Sequence, residues 1–234
     1  MLHKNYHKSG LAALAMAAAI AYAPSGSANL LTNGGFESPD ASGGDIYCST
    51  GWTCFNDGNF TNNTTGPSFG PVSHDTPGLQ SLKQFGIDAG AFQDVAVTGG
   101  TTYEASVWAM NWVGDPLNNL GILQLSFRDA GGNVTGPLFE NFVDPIDDGV
   151  NIYLPVQDGA DISDWTLVTA MGMAPADAVS ARLLLLHVLT PPAPGNGTVR
   201  WDDASISAVP VPAAVWLFGS GLIGLIGIAR RRKS

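Results

Sequence analysis

Between residues 29 and 208 no stretch carries the apolar stripe of period 3.6 that a surface helix needs. The same region is a succession of short β-prone runs cut by turn clusters such as "SGGD", "DGNFTNNTTGPS", "TGGTT" and "DAGGN". That pattern excludes a helical bundle. It also excludes an α/β sheet, whose parallel strands need crossover helices. What remains is an antiparallel β-sandwich. Strands are expected at "LQSLKQF", "GAFQDVAV", "TTYEASVWAMNWV", "LGILQLSFRDA", "DWTLVTAMGMA", "VSARLLLLHVL" and "TVRWDDASISA". In the third of these, period two places Tyr103, Ala105, Val107 and Ala109 on one face. Glu104, Ser106, Trp108, Met110 and Trp112 fall on the other. The segment 131–163, rich in Gly, Pro and Asp, reads as a long insertion with room for one hairpin.

Both ends of the chain differ from this middle. Lys4, His7 and Lys8 precede a small-residue apolar run, 10–23, followed by "PSGSA". That is the plan of a secretory signal peptide over 1–28, cut after Ala28. At the other end, 213–229 are uncharged and mostly apolar, the short end of a membrane-spanning helix. Arg230, Arg231, Arg232 and Lys233 follow and would stay on the cytoplasmic side. The three parts are therefore 1–28, a body at 29–208, and a tail at 209–234.

Charge is partitioned in the same way. The body holds all 20 acidic residues and four basic ones, Lys83, Arg128, Arg182 and Arg200, a formal net charge of −16. Such a surface repels phosphate backbones, so nucleic acid is excluded as a partner. Cys48 and Cys54 are the two cysteines. In an exported chain a bridge between them is favoured over free thiols or a metal pair. "GSGLIG" in the tail and "GPSFG" at 66–70 match a dinucleotide fingerprint and a nucleophile elbow only as text. Neither has the strand and helix context that its chemistry needs. Paired acids are abundant, and adjacency alone selects no acid–base pair.

The tail resembles the PEP-CTERM sorting signals of Gram-negative bacteria, in the VPLPA variant. The matching residues are Val209, Pro210, Val211, Pro212 and Ala213, the block 216–221 "WLFGSG", and the terminal Arg230, Arg231 and Arg232. Val211 stands where that variant usually has Leu. The resemblance implies processing by an exosortase and delivery to the cell surface or extracellular matrix.

The body resembles the galactose-binding-like jelly roll of carbohydrate-binding modules. The carriers, in the family's order, are "NLLTNGGFE", "GWTC", "AFQDVAVTGGTTYEASVWA", "LQLSFRDAGG", "ADAVSARLLLL" and "GTVRWDDASI". The resemblance implies a structural calcium held by Glu37 with Asp202 or Asp203. The alternative is that these acids are solvated at a strand end. It also implies polysaccharide binding. Trp108 and Trp112 would form an aromatic platform, with Asn111 and Arg182 bonding sugar hydroxyls. Against this, both tryptophans could pack under the 131–163 segment. Trp52, Trp165 and Trp201 lie inside strand motifs and read as core. The expected protein is a non-enzymatic, exported polysaccharide binder. A hydrolase acting on exopolysaccharide and a ligand-free structural matrix protein are the alternatives.

Overall fold

The structure is a computed structural model and describes residues 27–41, 44–62, 73–74, 79–86, 88–111, 117, 119–144, 152–153, 165–188 and 197–210. Twelve strands are present among them, and no helix. They are β1 (Ile46–Tyr47), β2 (Thr53–Phe55), β3 (Asn59–Asn62), β4 (Ser81–Phe85), β5 (Ala89–Ala96) and β6 (Thr102–Met110). Then follow β7 (Leu120–Arg128), β8 (Val134–Asp144), β9 (Ile152–Tyr153), β10 (Thr166–Met173), β11 (Ser180–Val188) and β12 (Thr198–Ala208). Two six-stranded sheets result. The first runs β1-β3-β4-β12-β6-β10 and the second β2-β5-β11-β7-β8-β9. Every pairing is antiparallel except that of the short β9 with β8. The chain is an all-β sandwich of the jelly-roll type.

Period-two alternation decides which residues fill the space between the sheets. On β6, Tyr103, Ala105, Val107 and Ala109 point inward, as the sequence pattern requires. On β11, Ala181, Leu183 and Leu185 do the same, while Arg182, Leu184 and Leu186 take the outer face. Trp52, Trp165 and Trp201 are buried, as expected of core positions. One end of the interior is polar. Gln84 donates to Asn59 Oδ1 and to the Leu185 carbonyl, and it accepts the indole N–H of Trp201.

The segment 131–163 is not an insertion throughout. Its residues Val134–Asp144 form β8, a full strand hydrogen-bonded to β7 across the "DAGGN" turn. Its glycine and proline content hid this strand: Gly136 adopts a positive φ of 73°, and Leu138 and Phe139 follow Pro137. A second strand missed is β3, inside the cluster "DGNFTNNTTGPS". Asn59 is tolerated there because Gln84 satisfies its side chain, and Phe60 stacks on Phe85 with ring centroids 5.6 Å apart. Cys48 and Cys54 are joined as a disulfide, which closes the short loop between β1 and β2.

Candidate functional site

The outer face of the second sheet is built from β2, β5, β11, β7 and β8. Phe92 on β5 sits opposite Leu184, and Asp94 sits opposite Arg182. Arg182 Nε and Nη2 donate to the two carboxylate oxygens of Asp94, each at 2.7 Å. The guanidinium lies over the Phe92 ring, its Cζ 3.6 Å from the centroid. A planar cation held at both ends and stacked on an aromatic ring has little freedom left. Next to it, Gln124 on β7 donates to Glu140 on β8. Phe55 on β2 closes the opposite margin over Gly90, where an added Cβ would fall inside its ring. The result is a fixed surface with aromatic and aliphatic patches between hydrogen-bonding groups.

Trp108 does not join this surface. It projects from β6 on the outer face of the first sheet, paired with Leu167 and Asp202 on its flanking strands. One face of its indole is covered by the His74 imidazole, with centroids 3.9 Å apart and planes 14° from parallel. His74 Nδ1 lies 2.7 Å from Asp203 Oδ2, and its backbone N–H donates to Asp202 Oδ2 at 2.8 Å. A short tie therefore fastens His74 across the tryptophan. Asn111 corrects the sequence reading. It is buried at 1% exposure, and its side-chain oxygen accepts the Leu117 N–H at 2.8 Å. It follows strand β6 directly and ties Leu117 to it, so it does not stand beside Trp108 facing solvent. Trp112 lies outside the described residues. Arg182 and Trp108 thus stand on the outer faces of opposite sheets.

The three acids expected to hold calcium do approach one another. A Cβ placed on Gly35 would lie 3.5 Å from Asp203 Oδ1, 3.9 Å from Asp202 Oδ1 and 3.8 Å from Glu37 Cγ. Asp203 reaches this place because the β12 ladder shifts register between Asp202 and Ser205, with Asp203 at a φ of 49°. Donors already occupy the carboxylates, however. Glu37 Oε1 accepts the N–H groups of Leu79 and Gln80, and Asp202 accepts from Ser73, His74 and Asp203. Among the described residues no group of three metal-ligating side chains is positioned to hold a metal ion.

One carboxyl is electrostatically tuned. The Asn133 backbone N–H, then its side-chain amide, hold the Asp129 carboxyl below the usual carboxylate range, with Gly131 and Gly132 adding to this. These bonds shape the β7–β8 turn. They belong to the hairpin and not to the outer face.

No protein-family model matches the chain, and no curated protein matches it in sequence. Solved structures do match its fold. One is the enzymatically active domain of tailspike protein 4 of bacteriophage CBA120, with a TM-score of 0.52 and 15% identity. The match covers 77% of this chain and 21% of that one. Another is an arabinose-bound GH51 α-L-arabinofuranosidase, with a TM-score of 0.50, 14% identity, and 77% and 26% coverage. A third is TmCBM61 in complex with β-1,4-galactotriose, with a TM-score of 0.48, 15% identity, and 78% and 100% coverage. The chain spans about a quarter or less of the length of the first two structures. At these identities the likeness is one of fold.

The outer-face residues Phe92, Asp94, Gln124 and Glu140 were missed by sequence reasoning. Their signal was present in principle, as the non-core half of two alternating strands. Only the pairing of β5 with β11 and of β7 with β8 puts them side by side.

Proposed function

We propose that this chain is an exported surface or matrix protein whose jelly-roll body binds polysaccharide on the outer face of its second sheet. The observation that carries the reading is Arg182, locked on Asp94 and laid over Phe92 in the middle of that face. Sugars present alternating hydroxyl edges and C–H faces. A rigid surface of aromatic, aliphatic and hydrogen-bonding groups complements both without a large ordering cost. Export by the N-terminal segment and sorting by an exosortase through the tail supply the setting. The protein carries no chemical step in this reading. The Trp108 face, covered by His74, has no part in binding.

The inventory of cations narrows the ligand. Arg200 is buried and donates to Ser81, and Arg128 donates to the Gly132 carbonyl. Lys83 lies over the Phe85 ring, and Arg182 is spent on Asp94. The four basic residues of the body are thus engaged, against twenty acids. A polyuronate or sulfated glycan would bring charge with nothing to receive it, so the ligand class is a neutral polysaccharide.

Pull-down of the Ala28–Val209 body, a compact unit with its own core, with insoluble neutral glycans tests this. Binding is expected to be lost in Arg182→Ala and Phe92→Ala and kept in Trp108→Ala. Binding that survives both outer-face changes and disappears with Trp108→Ala would overturn the assignment.

A further inference from the structure

A sheet that is not closed into a barrel has two edges, and each edge strand carries backbone groups with no ladder to enter. The edges here are β1 and β10 in the first sheet and β2 and β9 in the second. β1 and β9 are two residues long, and β2 is three. β10 is eight residues long, Thr166–Met173. Three edges are thus too short to recruit another strand, and the fourth is not.

The ladder decides which backbone groups of β10 look outward. In an antiparallel strand successive residues turn their N–H and C=O to alternate sides. Val209 N donates to the Thr102 carbonyl at 2.8 Å, so Thr102 faces β12 and Tyr103 faces β10. The register partner of Tyr103 is Gly172, while Ala105 and Val107 oppose Ala170 and Val168. Leu167, Thr169, Met171 and Met173 therefore turn their backbone groups to the open edge. Asn141 of β8 agrees with this, because its side-chain amide donates to the Thr169 carbonyl at 3.0 Å from that side. Among the described residues it is the one partner that these four N–H and four C=O groups have. The side chains of the same residues lie on the outer face of the first sheet. Leu167 is 44% exposed, Met171 51% and Met173 63%, with Thr169 exposed between them.

The strand's own composition points to its partner. From Trp165 to Ala174 the sequence holds no charged residue, on a body with twenty acids. It also lacks the lysine or proline that commonly protects an edge. A strand that pairs with its own copy about a twofold axis brings any charge it carries close to the same sign. β10 is free of that penalty. Laying its four outward-turned residues on themselves in reverse sets Leu167 against Met173 and Thr169 against Met171. Each pair then matches an adaptable thioether with an aliphatic or hydroxyl side chain. We infer that β10 pairs antiparallel with β10 of a second copy of this chain, joining the two first sheets into one across a twofold axis. The Asn141 bond can stay, since a carbonyl oxygen accepts twice. The two acidic bodies repel at longer range, an opposition that salt screens. Arg182 stands on the other sheet, so the inference is independent of what that face binds.

The test is sedimentation velocity of the Ala28–Val209 body, a compact unit with its own core, in physiological salt, with amide exchange measured on the same samples. The unmodified body is expected to pass from monomer to dimer as its concentration rises. Met171→Lys and Leu167→Lys each put a charge at an exposed edge position, and each should stay a monomer at the same concentrations. Two variants are used so that loss of fold in one leaves the other to decide. Leu138→Lys, a comparably exposed change on β8, should still dimerise. On dimerisation the amides of Leu167, Thr169, Met171 and Met173 should become protected, while those of Val168, Ala170 and Gly172 are protected at every concentration. A body that remains monomeric throughout would overturn the inference. A dimer that survives the lysine changes would overturn it too, because association would then use another surface. So would a dimer whose four outward amides exchange as they do in the monomer, since its strands would not be joined.

Discussion

Gln84 is wholly buried between the sheets, and all of its described bonds go to buried partners. Gln84→Leu keeps most of the side-chain volume and removes three hydrogen bonds. It strands Asn59 Oδ1 and the Trp201 indole N–H, whereas the Leu185 carbonyl still has its place in the ladder of β11 between β5 and β7. Each orphaned group costs about 1–3 kcal/mol, and the added apolar surface returns about 1–2 kcal/mol. Taking the middle of each range for the two orphaned groups, the expected net loss is about 2–3 kcal/mol. For a domain of this size that lowers Tm by roughly 5–10 °C. Guanidinium unfolding of the Ala28–Val209 body, followed by tryptophan fluorescence, measures it with the m value unchanged. On a Trp201→Phe background one of the three partners is already gone, so the second change should cost about 1 kcal/mol less. A loss below about 1 kcal/mol for Gln84→Leu, or strict additivity with Trp201→Phe, would refute the network as a stabilising unit.

Three further outcomes are expected. The Asp129 carboxyl is depressed in the folded state, so its contribution to the β7–β8 turn is present above the ordinary carboxylate range and is lost as pH falls through its folded value. Protection of the Gly131 and Asn133 amides, taken relative to their intrinsic exchange rates at each pH, should therefore fall in acid, and Asp129→Asn should remove that dependence; protection unchanged across the acid range in the unmodified chain would contradict it. Gly34→Ala puts a Cβ 2.1 Å from the Ala204 carbonyl oxygen, where only backbone movement relieves the clash. A loss of about 2 kcal/mol or more is expected, whereas an unchanged denaturation midpoint would mean that the N-terminal stretch is not held along β12. Millimolar calcium should leave Tm where it is, because protein donors occupy Glu37, Asp202 and Asp203. A rise in Tm reversed by a chelator would show those donors yielding to a bound ion.

Much of the architecture was readable along the chain. Alternation within 102–110 and 180–188 marks the inward set directly, because a strand's side chains switch faces at every residue. The turn "DAGGN" and the absence of any helical stripe needed no tertiary information. β3 and β8 were unreadable for the opposite reason. Their Asn, Gly and Pro residues are poor strand formers in isolation, and they are held by partners distant in sequence: Gln84 for Asn59, and β7 for Val134–Asp144.

By itself the sequence determined the all-β class, the inward half of the main strands, the acidic body and the two apolar ends, since each is a property of local pattern or composition. Only the tertiary structure decided the rest. It set Arg182 and Trp108 on opposite sheets, buried Asn111, covered one indole face with His74, and laid the stretch at Leu30 along β12. Such juxtapositions depend on strand order and register. These arise from closing the sandwich as a whole and leave no mark on any short window of residues.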